Sequence, residues 1–138
     1  MRVENEQYRS IWLNESGLEV RIIDQTELPH RFVVRQLSNL EEVASAITSM
    51  QVRGAPLIGV AAAYGMYLAM LEDPSDRAVE AAHASLIATR PTAVNLRWAL
   101  DQMKKTLHTT TVEQRVEIAK QTASEMSDDD VKLNESIG

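Results

Sequence analysis

The run of 16 residues from Pro56 to Leu71 contains no charged side chain, and its only polar side chains are Tyr64 and Tyr67. It is flanked by Gly54 on one side and Glu72-Asp73 on the other, and reads as one helix. A helix apolar all round has to be surrounded by other elements. Ala61, Gly65 and Ala69 recur four residues apart, as do Gly59 and Ala63. Such rows let neighbouring backbones approach closely, at a propensity cost of about 1 kcal/mol for each interior glycine. At 16 residues the run is shorter than the roughly 20 a bilayer requires. The sequence therefore predicts a central buried helix in a soluble domain, with no membrane span.

The rest of the chain supplies the cover. Tyr8–Leu13, Leu18–Asp24 and Arg31–Gln36 read as strands, with a turn at Asn14–Gly17 and a loop containing Pro29. Short connections favour an antiparallel meander, and three strands need helices to lean on. Asn39 is placed to cap a helix from Leu40 to about Met50, with Val43, Ala46, Ile47 and Met50 on one face. Asp73–Asp76 opens a helix to about Ala88. Thr92 is placed to cap another to about Leu107, on which Arg97 and Asp101 are spaced for a surface pair. A last helix covers Val112 to about Met126, and Ser127–Asp130 reads as an acidic break or helix start. The fold class is α+β: a small three-stranded antiparallel sheet followed by a mostly helical bundle. The expected division is one domain over 1–130 and a connection beginning at 131–138.

Two stretches invite a functional reading. Val52-Arg53-Gly54-Ala55-Pro56-Leu57-Ile58-Gly59 and Arg90-Pro91-Thr92-Ala93-Val94-Asn95-Leu96 each set an arginine just before an expected helix start. A helix start offers unpaired N–H donors and the positive end of a dipole. A guanidinium beside it suits a phosphate. Gly54 permits close backbone approach, and Pro56 fits a first helical position. Taken singly, Arg53-Gly54-Ala55-Pro56 also fits a plain helix–helix turn. Arg90 also fits a cation at the end of the preceding helix. The case for an anion site rests on the pair.

Composition narrows the field. Aspartate and glutamate outnumber lysine and arginine 20 to 14, giving a net charge of −6, which disfavours a nucleic-acid partner. No lysine occurs before Lys104, so every fixed positive side chain up to that point is an arginine. There is no cysteine, hence no disulfide, cysteine metal site or thiol nucleophile in these 138 residues. His30, His83 and His108 lack metal-ligand spacing, and Asp128–Asp130 reads as a solvated helix start rather than a cation site. Arg90, Arg97 and Lys104 lie seven apart, which a solvated helix face explains. Met1–Glu6 shows no signal-peptide core, and a cytoplasmic location is expected. The residues alone point to a phosphate-bearing small molecule and no further.

The same stretches resemble signature motifs of the methylthioribose-1-phosphate isomerases. These form a superfamily with ribose-1,5-bisphosphate isomerase and the regulatory subunits of translation initiation factor 2B. Ile22–Pro29 is similar to that family's early LDQ-x-x-LP segment, Met50–Gly59 to its M-x-VRGAP-x-IG stretch, and Arg90–Leu96 to its RPTAVNL. The resemblance covers nearly the whole chain, and three matches in order are far more specific than one. It implies that Arg53, Gly54, Ala55 and Arg90 bind substrate and its phosphate. The small N-terminal domain would be followed by a larger Rossmann-like domain that carries a catalytic cysteine and aspartate. The implied reaction is an aldose-to-ketose isomerisation in methionine salvage, with no cofactor and no metal, in a parent that is a homodimer. The sugar's phosphate blocks ring opening, so an unusual intermediate must be held in a dry pocket.

Asn134–Gly138 resembles the segment leading into that second domain, so no catalytic residue is assigned within this chain. The chain alone is expected to be inactive. Two other readings stand beside this one. The first is a non-catalytic regulatory protein of the translation-factor type, or the related bisphosphate isomerase. The second is a helical interaction domain whose arginines are structural.

Overall fold

A computed structural model describes residues 11–14, 16–24, 26, 30, 33–52 and 55–137; at 55, 56 and 127–137 it describes the backbone only. Strands β1 (Ile11–Leu13), β2 (Val20–Ile23) and β3 (Val34–Leu37) form an antiparallel sheet in the order β1-β2-β3. Ile11 pairs with Ile22, Leu13 with Val20, and Val20 with Leu37, so one face of the sheet is aliphatic. That face is buried at Ile11, Val20, Ile22 and Leu37. Strand β2 is shorter than the sequence predicts, with Leu18 exposed beside the first turn; Tyr8–Ser10, Arg31 and Phe32, expected in the other two strands, lie outside the described residues.

Five helices follow: α1 (Leu40–Thr48), α2 (Ala55–Glu72), α3 (Asp76–Ile87), α4 (Val94–His108) and α5 (Arg115–Ile137). A 3-10 turn over Val112–Gln114 precedes α5. The apolar run is indeed the centre. From Ile58 to Met70, α2 is buried without interruption, touched by α1, α3, α4, α5 and β1. The small-residue rows explain how so many elements fit. A Cβ placed on Gly65 would lie 3.0 Å from Val43 Cγ1 and 3.2 Å from Leu86 Cδ1, so α1 and α3 both close on that point. Two residues further along α2, the Tyr67 hydroxyl donates to the Gly17 carbonyl at 2.5 Å and ties the β1–β2 turn to the core.

Helix directions follow from the side-chain pairs. His83 meets Asp101 at 2.8 Å, Lys104 meets Glu80 at 3.1 Å, and His108 meets Glu80 at 2.6 Å and Asp76 at 3.6 Å. The ladder runs antiparallel, so α3 climbs and α4 descends again alongside α2. At the bottom, buried Arg115 donates to the carbonyls of Leu107, Thr110 and Pro74 at 2.8, 3.2 and 2.8 Å, and pairs with Asp76 at 2.6 Å. One side chain thus fastens the α2–α3 turn, the end of α4 and the start of α5.

Several expectations are corrected. Thr92 does not cap α4; Ala93 occupies that position and makes no side-chain bond. Asp101 turns to His83 across the helix pair, and Arg97 donates to the Pro91 carbonyl at 3.1 Å instead of pairing with Asp101. Met50 lies beyond the end of α1 and is exposed, not on its buried face. The α5 backbone continues through Ser127–Asp130, where no glycine or proline interrupts it. Asn39 does cap α1, accepting from the Glu42 N–H at 2.8 Å.

Asp24, at the end of β2, is a buried acid the sequence did not single out. Burial pushes its carboxyl upward. The bonds from the Thr26 hydroxyl and N–H and from Arg35 Nε, the last at 2.8 Å, outweigh burial and hold it below the ordinary carboxylate value. A depressed carboxyl stabilises the fold fully above its unfolded value near 3.9 and ceases to do so as pH falls through the lower folded value. Asp24→Asn should therefore cost roughly 1–3 kcal/mol at neutral pH, with the gap to wild type closing as pH falls below about 4. Urea denaturation of both proteins across that range measures it. A gap independent of pH would contradict the assignment.

Candidate functional site

The site lies where α2 and α4 begin. Because the two helices descend together, their N-termini share one end of the bundle. The contact is close: a Cβ on Gly59 would stand 3.2 Å from the Asn95 carbonyl oxygen and 3.5 Å from Ala99 Cβ. Gly59 is one turn into α2 and Asn95 is in the first turn of α4. A side chain at this position would push the start of α4 away by a few tenths of an ångström, so glycine keeps the two starts at their closest.

Their electrostatics differ from those of the other helices. Helices α1, α3 and α5 carry acidic residues in their first turns: Glu41 and Glu42, Asp76, and Glu117. Asn39 and Ser75 also cap α1 and α3 with side-chain oxygens. Helices α2 and α4 have no acid in the first turn, and Ala93 gives α4 no side-chain cap. The N–H groups of Val94, Asn95 and Leu96 lack intrahelical partners by position, so they face outward with the helix dipole behind them. The missing Thr92 cap is what leaves these donors available.

Arg90 stands in the turn between α3 and α4 and is partly buried. Among the described residues its side chain forms no hydrogen bond or ion pair, so it does not close the end of α3. There the backbone does the work: the N–H of Ala88 reaches the Ala84 carbonyl, and that of Thr89 the Leu86 carbonyl. The turn itself is braced. The Ala93 N–H donates to the Arg90 carbonyl at 3.0 Å, and Arg97 holds the Pro91 carbonyl. Sequence reading missed this brace because it paired Arg97 along its own helix.

On the α2 side, the chain leaves α1 through a left-handed residue. Met50 has φ of 67°, its N–H donates to the Ile47 carbonyl, and the Gln51 N–H reaches back to the Ala46 carbonyl at 3.0 Å. This closure is usually made by glycine. Val52 is then fully buried. Arg53 and Gly54 lie outside the described residues, and so does the side chain of Ala55, whose backbone opens α2. Of the four residues expected to bind ligand, the structure thus locates Arg90 and the backbone of Ala55, both at this end of the bundle. Among the described residues no group of three or more histidines or acids could hold a metal ion.

Comparison with known proteins identifies the family. Residues 51–138, which include both arginine-led stretches, match the model of the Initiation factor 2 subunit family. The chain belongs to that family. Within it, a methylthioribose-1-phosphate isomerase of Rhodospirillum centenum is 54% identical over all 138 residues, and one of Methylocella silvestris is 51% identical. The chain spans 37% and 38% of the length of those two relatives. The crystal structure of 5-methylthioribose 1-phosphate isomerase from Pyrococcus horikoshii OT3 superposes with a TM-score of 0.80 at 35% identity, over 88% of this chain and 36% of that one. That of translation initiation factor eIF-2B, subunit delta, from A. fulgidus gives 0.81 at 36% identity, over 89% and 37%. Two family members with different names therefore share this fold equally well, and shape alone does not separate their functions.

The close α2–α4 contact yields a test. Gly59→Ala should gain helix propensity of about 1 kcal/mol yet force the start of α4 away from α2, because the obstacle is a backbone carbonyl. Phosphate affinity should fall at least several-fold while the thermal midpoint changes little. Unchanged affinity would show that the spacing of the two starts is irrelevant to binding.

Proposed function

We propose that this chain is the substrate-phosphate-binding N-terminal part of an isomerase that converts 5-methylthioribose-1-phosphate to 5-methylthioribulose-1-phosphate. The observation that carries this reading is the juxtaposition of two helix starts, free of first-turn acid and each preceded by an arginine in sequence. The names of the relatives that match the whole chain at 50–54% identity supply the substrate. They also favour the isomerase over the translation-factor alternative, which rests on fold similarity of the same degree.

In this reading Arg53 and Arg90 take the phosphate between them. Gly54 lets the backbone approach, and the amide of Ala55 donates beside the α2 dipole. The α4 start contributes the N–H groups of Val94, Asn95 and Leu96. Phosphate at the anomeric carbon keeps the sugar ring closed, so the grip fixes the substrate while other groups move the protons. Those groups are assigned to the second domain implied by the family resemblance, and the domain described above is assigned to residues 1–130, with 131–138 beginning the connection. The full-length parent is taken to be a cytoplasmic homodimer that needs no cofactor. Among the described residues, no helix is long and apolar enough to cross a membrane.

The test uses this chain both alone and continued by the C-terminal part of the Rhodospirillum centenum relative. The 138-residue chain should give no turnover. In the extended protein, Arg53→Ala or Arg90→Ala should each lower kcat/KM by at least about tenfold, the loss of one charge-assisted contact of roughly 1.5–3 kcal/mol. If neither substitution affects the reaction, the arginines do not hold the substrate.

A further inference from the structure

Two adjoining cavities, of about 550 and 360 Å³, flank the β1–β2 turn. Trp12, Leu13, Asn14 and Ser16 wall both of them. Arg21 of β2 completes the larger one, and Tyr64 of α2 with Lys120 and Ser124 of α5 closes the smaller one. Tyr64 lies about 14 Å along α2 from Ala55, so this groove is distinct from the two helix starts. Its wall is held by the turn's own bonds. The Asn14 side chain accepts from the Glu19 N–H at 3.2 Å and the Ser16 hydroxyl at 3.0 Å, and donates to the Glu19 carboxylate at 3.2 Å. The Tyr67 hydroxyl holds the Gly17 carbonyl of the same turn.

The charged side chains of the groove are not committed in this way. Trp12 and Arg21 stand directly opposite each other across β1 and β2. Indole and guanidinium therefore share the face of the sheet turned away from buried Val20 and Ile22. Arg21 Nε is buried with no hydrogen-bond partner, and Nη2 is 3.8 Å from the Glu19 carboxylate, beyond hydrogen-bond reach. Lys120 is exposed and has no ion pair among the described residues. None of the described residues lining the two cavities is acidic. In a chain with 20 acids against 14 bases, two cations thus stand uncommitted beside one aromatic wall. A guanidinium grips a carboxylate through two N–H donors, and an indole face takes a flat ring.

We propose that this groove is a second binding site, for a small planar organic dianion. One acidic group lies on the Arg21 guanidinium, the other on the Lys120 ammonium and Ser124 hydroxyl, and the flat body rests against Trp12. The braced turn keeps the wall in place before the ligand arrives, which lowers the ordering cost of binding. The site depends neither on the isomerase reading nor on the helix starts.

The experiment titrates the 138-residue chain with benzene-1,4-dicarboxylate and follows its indole and backbone N–H signals by NMR. The Trp12 indole N–H and the amides of Asn14, Ser16 and Ser124 should shift along one saturable curve. The indole of Trp98, exposed on α4, should stay in place. Arg21→Gln and Lys120→Gln should each weaken binding at least several-fold, and benzoate, with a single carboxylate, should bind more weakly by a similar factor. Inorganic phosphate at a concentration that saturates the helix starts should not displace the dicarboxylate. The absence of a saturable shift overturns the proposal, as does binding that neither substitution weakens. Displacement by phosphate also overturns it, because the groove would then be no more than a general anion site. If Arg21→Gln lowers the thermal midpoint, Lys120→Gln on the exposed side of α5 decides the matter: unchanged affinity in that variant refutes the site.

Discussion

Everything in this structure depends on burying one charge-free helix. Helix α2 has no face that tolerates water, and its centre is sealed from Ile58 to Met70. With only 4% aromatic residues, the chain cannot fill wide gaps between helices with large rings. It fills them by bringing backbones together over alanine and glycine. Close packing of this kind is unforgiving, because added volume has nowhere to go. It also fixes the relative heights of neighbouring helices to within a fraction of a turn. The functional consequence comes from that precision: Gly59 against Asn95 aligns two helix starts that the chain order separates by almost forty residues.

The two ends of the bundle are built for different purposes. At the bottom, Arg115 has its guanidinium committed to three carbonyls and one carboxylate, and His108, Lys104, Glu80 and Asp76 pair across α3 and α4. Asp76 and Glu80 are held below their ordinary values chiefly by bonds from Arg115 and His108 respectively. At the top, Arg90 is left without such a partner among the described residues, α4 lacks a side-chain cap, and Met50 takes a left-handed conformation that favours glycine. Local choices that weaken a fold are concentrated where a ligand would compensate them, as expected of a functional site.

Much of this was legible in the sequence. The unbroken apolar run announced a central helix, and alternation at Leu18–Asp24 announced a strand, because those periodicities reflect burial directly. Asn39 was legible as a cap because capping is local. What could not be read were partners set by tertiary placement. Arg97 has an acid four residues on, but the bent turn at Pro91 offers a carbonyl nearer its guanidinium. Thr92 has the right chemistry for a cap, but the turn from Arg90 to Ala93 shifts the helix start past it. Arg115 and Asp24 were ordinary surface charges in sequence and became buried fasteners only once the elements met. Of the candidate site, the sequence supplied the two arginines and the idea of pairing them. That α2 and α4 begin side by side required the packing of the whole bundle.

The central claim is that the two helix starts act as one anion site. The direct measurement is a titration of the 138-residue chain with inorganic phosphate, followed through its backbone amide NMR signals. The amides of Ala55 and Leu57 on α2 and of Val94, Asn95 and Leu96 on α4 should shift together. They should share a single dissociation constant, which Arg90→Ala weakens for both helices alike. Shifts confined to one helix start, or two unrelated constants, would contradict it.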